Sequence, residues 1–265
     1  MPCTKDQVNK LIEIFIRSRD FQFPHYHFPN TPNCRTGLVS LIRTISDTEF
    51  NDENRNRFTI LTWISPSIKK GFLEESESEH KTVFYVERVR SNTFVILSLD
   101  SIEAPTTRRL IQVVREDLSP IAPEVQLFGW NSTPIRQRSL YGCGAYSLDD
   151  LLRCHQFPNL LKEIEKLPKL ECGLDIKVTL PPEFMVSTQS FTTLSEYLDT
   201  IKDIYPPTHE KVAALYAAVH NSTIVSSDGK GFNKYIETAN ERFHRLSENT
   251  LPVLPPNLSF NLDRV

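Results

Sequence analysis

Glycine is scarce in this 265-residue chain, with eight residues against eighteen prolines. Glycine serves positive φ and close backbone approach, so its few positions carry information, and Gly142 and Gly144 bracket a single cysteine. A net charge of consequence is also missing: 30 Lys+Arg face 33 Asp+Glu, leaving −3. That balance gives no whole-protein attraction to nucleic acid or to an anionic membrane. No apolar run reaches the ~18 residues of a membrane-spanning helix, so no integral membrane protein is expected. The first twenty residues lack the apolar core of a signal peptide and read as an amphipathic helix over 5–18. Pro2 stands where myristoylation requires glycine. The five cysteines (Cys3, Cys34, Cys143, Cys154, Cys172) are odd in number and without C-x-x-C spacing. They fit neither a disulfide framework nor a zinc site, and a reducing cytosol is the expected setting. No internal repeat or low-complexity tract is visible.

What is present suffices for a core: 39% hydrophobic, 10% aromatic and 24% charged residues, in a length suited to one large domain or one domain plus a small subdomain. The proline-punctuated stretch 21–34 reads as an irregular loop, and 35–46 as a helix. The β-branched and aromatic run 58–64 predicts a buried strand. Strand-like runs at 81–89 and 93–99, joined by Arg90-Ser91-Asn92, predict a hairpin. Pro105 opens a helix over 105–118, closed by Pro120 and Pro123; a strand over 125–130 and a helix over 144–154 follow. Farther on, helical spacing recurs at 191–204, 209–221 and 232–249, with one strand at 176–181. The order implies an α+β fold, a mixed or antiparallel central sheet flanked by helices. The expected divisions are an N-terminal helix and loop (1–34), a catalytic core (35–175) and a mainly helical region packed on it (176–265).

The hairpin carries a chemical consequence. If its turn centres on Ser91, opposed residues have indices summing to about 182 in the alternating pairing of an antiparallel ladder, so Thr82 faces Asp100 and His80 lies near that carboxylate. A carboxylate beside an imidazole fixes its tautomer and stabilises its charged form, as a catalytic base requires. An exposed histidine in the acidic loop 74–79 is the structural alternative, and Glu103 is a rival carboxylate. Cys143, between two glycines, opens a predicted helix, where the dipole and free N–H groups lower a thiol's pKa. A small buried apolar cysteine is the alternative there. Gln137 could donate its side-chain amide to a developing oxyanion. His25-Tyr26-His27 offers two metal ligands without a third and reads as packing, as do Phe128 and Trp130.

The segment Gln137-Arg138-Ser139 through Cys143-Gly144-Ala145-Tyr146-Ser147-Leu148 resembles the Q-R-S-x-x-x-C-G-x-F-S-L signature of YopJ-family bacterial effectors. The likeness extends upstream through His80-Lys81-Thr82-Val83 to Asp100, and downstream through Leu180-Pro181, Phe184, Thr188-Gln189-Ser190 and Tyr197-Leu198. It implies the papain-like CE-type scaffold shared with adenovirus-protease and SUMO-protease-like cysteine peptidases. It further implies an acetyltransferase in which Cys143 takes the acetyl group from acetyl-CoA, with His80 as base, Asp100 orienting it and Gln137 at the oxyanion. A host protein accepts the group on Ser, Thr or Lys, after delivery by a bacterial secretion system into the host cytoplasm; a monomer is expected. The family also uses inositol hexakisphosphate as activator. Where its motif has Lys-His, this chain has Val186-Ser187, which leaves Lys230, Lys234 and Arg242 as candidate polyphosphate contacts. A ubiquitin- or SUMO-like-specific protease with the same triad, or a non-catalytic binding protein on the scaffold, are the alternatives.

Overall fold

The apolar run at 58–64 forms a strand because β-branched and aromatic side chains fill a pleated surface covered on both faces. In the computed structural model it lies second in a seven-stranded mixed sheet. The structure describes residue 13 and residues 21–51, 56–64, 68–69, 72–73, 80–102, 105–137, 143–157, 159–172, 175–225 and 231–233. The strands are β1 (His25–Phe28), β2 (Arg57–Ile64), β3 (Ile68–Lys69), β4 (Phe72–Leu73), β5 (His80–Arg90), β6 (Thr93–Leu99), β7 (Gln126–Thr133), β8 (Lys169–Cys172), β9 (Asp175–Thr179), β10 (Thr223–Val225) and β11 (Gly231–Asn233). The helices are α1 (Thr31–Ser46), α2 (Pro105–Leu118), α3 (Cys143–Gln156), α4 (Leu160–Glu165), α5 (Phe191–Ile201) and α6 (Glu210–Ser222), with a 3₁₀ helix at Pro182–Ser187. The large sheet runs β1-β2-β5-β6-β7-β9-β8. Its β1–β2, β6–β7 and β7–β9 pairs are parallel, the others antiparallel.

Alternation along the strands divides the core. Phe58, Ile60, Phe84, Val86, Phe94 and Ile96 face α1 and α2. Leu61, Val83, Tyr85, Leu97 and Leu99 face α3 and α4 on the opposite side. A third cluster joins the 3₁₀ helix to α5 and α6 through Met185, Leu194, Tyr197, Val212 and Val219. The buried Arg88 ties the hairpin to the end of α1, donating to Ile45 O (2.8 Å), Thr48 O (3.0 Å) and Ser91 O (2.6 Å). One guanidinium thus bridges a helix end and a turn, adding to the bond that Ile45 O already accepts from Thr48 N at 3.1 Å.

The stretch 21–34 departs from the expected loop: it holds β1 and the first turn of α1. Pro24 and Pro29 merely flank the short strand, and Pro32 sits in the first helical turn, where a missing N–H costs nothing. Asn30 caps α1 by accepting from Asn33 N at 3.0 Å. A side chain at Gly37 would collide with the Phe28 ring, so β1 and α1 approach through a mid-helix glycine. The edge strand β8 has no expected counterpart. The expected boundaries at 34/35 and 175/176 fall within α1 and at the first residue of β9. Residues 232 and 233, the expected start of a last helix, belong to β11, and the rest of that helix lies outside the described residues. The helix expected over 5–18 likewise lies outside them except at residue 13, which is helical.

Candidate active site

The hairpin register sets the site. Val83 opposes Leu99 and Phe84 opposes Ser98, so His80 at the start of β5 and Asp100 just past β6 come together at one end of the sheet. His80 Nε2 lies 2.7 Å from Asp100 Oδ1, and the two residues are 8% and 3% exposed. Asp100 is itself anchored: Oδ1 accepts from Ile102 N (3.0 Å), Oδ2 from Thr107 Oγ1 (3.3 Å), and its backbone N–H donates to Ser132 Oγ (3.2 Å). An ionised carboxylate only accepts, so Nε2 carries the proton. Glu103, the rival carboxylate, lies outside the described residues.

Cys143 is the first residue of α3 and is half-buried. It shares a side-chain hydrogen bond with His80. Because Asp100 holds Nε2, the ring nitrogen meeting the thiol is Nδ1. Burial alone would push the imidazole down, but the bonds to Asp100 and Cys143 outweigh it and raise His80 to about 9. Burial works upward on the thiol, yet the His80 bond and charge and the backbone of Lys81 and Gly144 bring it below its ordinary value. Both shifts favour a thiolate–imidazolium pair, the reactive form of a cysteine nucleophile.

Gln137 is buried on the loop after β7. Its N–H and that of Arg136 both donate to Ser101 O at 3.1 Å, and Ser101 Oγ donates to Gln137 Oε1 at 2.7 Å. The loop is held from below by Arg136, whose guanidinium makes two 2.7 Å bonds to both oxygens of Asp150 on α3 and a third to Phe184 O (3.1 Å). Gln189 N donates to Arg136 O at 3.0 Å, and Tyr146 Oη lies 2.8 Å from Ser187 O. Ser101, Thr107, Arg136 and Asp150 were not among the expected site residues. Ser101 adjoins Asp100 in sequence, but the bonds that matter cross between elements and leave no spacing to read.

Lys230, Lys234 and Arg242 lie outside the described residues, as does Gly142. Ser187 is 1% exposed with its hydroxyl 3.4 Å from Arg136 Nη1, so position 187 faces the interior, and the pair Val186-Ser187 presents no charge to an anion. His25 and His27 make local contacts: His25 Nδ1 to Thr59 Oγ1 and His27 Nε2 to Lys81 Nζ, both at 3.1 Å. Among the described residues no cluster of three His, Cys, Asp or Glu could hold a metal ion. Cys154 and Trp130 are core, and Phe128 packs against that core. No helix among the described residues is long and apolar enough to cross a membrane.

A family model described as YopJ serine/threonine acetyltransferase matches residues 50–246. Comparison with curated proteins finds no match. Among solved structures, HopZ1a in complex with IP6 is similar at a TM-score of 0.59 and 12% identity, over 92% of this chain and 83% of that one. HopZ1a with IP6 and CoA gives 0.55 at 11% identity, over 92% and 83%. AvrA delL154 with IP6 and CoA gives 0.55 at 16% identity, over 91% and 85%. At these identities the structures establish a shared fold, a mixed sheet with flanking helices.

Proposed function

Because this chain belongs to the YopJ serine/threonine acetyltransferase family, we propose that Cys143, His80 and Asp100 form its catalytic triad and pass acetyl groups from acetyl-CoA to Ser, Thr or Lys of a host protein. The observation that carries this reading is one imidazole bonded to Asp100 at 2.7 Å and to the Cys143 thiol. The Cys143 thiolate attacks the acetyl carbonyl, and the Gln137 amide steadies the oxyanion that forms. Collapse expels the CoA thiolate, which takes the proton from the His80 imidazolium and leaves an acetyl thioester on Cys143. The acceptor's hydroxyl or amine then gives its proton to His80 and attacks the thioester, and the Cys143 thiolate departs. Asp100 keeps the ring oriented and stabilises its cation in both halves.

CoA in the AvrA and HopZ1a structures supports acetyl-CoA as the donor here, and IP6 in the same structures supports inositol hexakisphosphate as a ligand. Lys230, Lys234 and Arg242 are the cations assigned to hold it. With Val186-Ser187 uncharged, it should raise the melting temperature less than in relatives with Lys-His at these positions. A large, saturable rise would contradict that assignment. Delivery by a bacterial secretion system into the host cytoplasm belongs to the same reading.

The test is transfer of labelled acetyl from acetyl-CoA to the protein and to host-cell acceptors, with and without inositol hexakisphosphate. Label that vanishes in Cys143→Ala supports the triad. Label that persists in that variant, or reaction with a ubiquitin-like vinyl sulfone in place of acetyl transfer, overturns it.

A further inference from the structure

We infer that Ser101 is a positioning residue for acetyl transfer, setting the side-chain amide of Gln137 so that its N–H edge meets the oxyanion. The inference rests on the reading of Gln137 as oxyanion donor. A glutamine amide has a donor edge and an acceptor edge of nearly equal shape. Turned over, it would present oxygen to an oxyanion and oppose the reaction it should assist. A buried contact bears on that orientation: the Ser101 hydroxyl donates to Gln137 Oε1 at 2.7 Å, and Ser101 is 2% exposed. That bond occupies the acceptor edge and turns the N–H edge away from Ser101.

The same residue also holds the backbone. Ser101 O accepts from the N–H groups of both Arg136 and Gln137 at 3.1 Å. Arg136 in turn is anchored in α3 through Asp150, with both bonds at 2.7 Å. The Gln137 main chain is thus fixed from two sides, and the Ser101 hydroxyl acts on its side chain through Oε1. Because Ser101 follows Asp100, one dipeptide orients both the base and the oxyanion donor. The carboxylate sets the His80 tautomer, and the next side chain sets the amide.

The test is a double-mutant cycle on the full chain, reading single-turnover acetylation of Cys143 by acetyl-CoA and the KM for acetyl-CoA. Gln137→Ala is expected to slow the step roughly 10²-fold, the usual loss of an oxyanion donor. Ser101→Ala should slow it about tenfold with KM unchanged, a part of that loss since a misaligned amide still samples the productive orientation. Ser101→Thr, which keeps the hydroxyl, should restore most of the rate. In the Gln137→Ala background, Ser101→Ala should cost nothing further. An equal loss in both backgrounds overturns the inference, because Ser101 would then act independently of Gln137. So does a full rate in Ser101→Ala. No loss in Gln137→Ala itself defeats the oxyanion reading, and the inference with it. Should Ser101→Ala fail to fold, Ser101→Cys, a weaker donor of similar size, must give an intermediate rate; the wild-type rate there overturns the inference.

Discussion

Two histidines, His80 on β5 and His155 on α3, are almost equally buried, at 8% and 5% exposure, yet they shift in opposite directions. His155 and His25 share one hydroxyl, Thr59 Oγ1, at 3.1 Å from each, and the Phe21 and Phe23 rings pack against His155. Burial, followed by the Arg57 charge, takes His155 down to about 4. Burial, followed by the charges of His155, His27 and Lys81, takes His25 down to about 3. At His80 burial pushes the same way, and Asp100 with Cys143 reverses it to about 9. A hydroxyl satisfies a ring nitrogen without rewarding its charge, whereas a carboxylate stabilises the imidazolium. The partner therefore decides whether a buried imidazole packs or can serve as a base.

The largest effect should come from erasing that difference. Asp100→Asn leaves His80 buried without its carboxylate, so its pKa should drop from about 9 toward that of His155. Acetyl transfer should fall roughly 10³–10⁴-fold, as when the acid of a serine triad is amidated. Imidazole NMR and rate measurements on the same variant check both halves. An Asp100→Asn enzyme with a high-pKa His80 would break the comparison.

Arg136 and Asp150 extend it to a pair in which both partners are buried. Removing one charge strands the other, so Arg136→Met should cost about 3–5 kcal/mol of stability. Arg136→Met with Asp150→Leu, an apolar replacement of both, should recover most of that cost in a urea titration. An undiminished loss in the double variant would place the cost in the bonds to Phe184 and Ser187 instead.

The smallest effect lies at the packing histidines. His155 holds its proton more weakly in the folded chain than in the unfolded one, so stability falls as pH drops below about 6.5 toward about 4. At pH 5 the loss is on the order of 2 kcal/mol, and His155→Phe should abolish that part of it. His80 has the opposite sign: its contribution is complete below about 6.5 and is lost as pH rises through about 9. Urea midpoints between pH 5 and 10 separate the two slopes. A His155→Phe protein as acid-sensitive as the wild type would contradict the assignment.

The His80–Asp100 end of the sheet was legible because its geometry follows from sequence distance. A tight hairpin fixes register, register brings His80 to Asp100, and Gly-Cys-Gly before a helical pattern marks the thiol. The signature around Gln137 and Cys143 then named the family that the match over 50–246 establishes. Strand β1 was hidden because the prolines that flank it are the residues that also punctuate loops. Ser101 on Gln137 and Arg136 on Asp150 were hidden for another reason. Each contact joins elements whose approach depends on the whole sheet order, and no local pattern encodes it.

The most direct measurement is the pH dependence of Cys143 alkylation by iodoacetamide in the wild type and in Asp100→Asn. The Asp100–His80 pair should keep the wild-type thiol reactive below the ordinary thiol range. In Asp100→Asn the profile should shift upward, toward that of a free thiol. Superimposable profiles would show that the carboxylate does not govern the thiol, and would contradict the account.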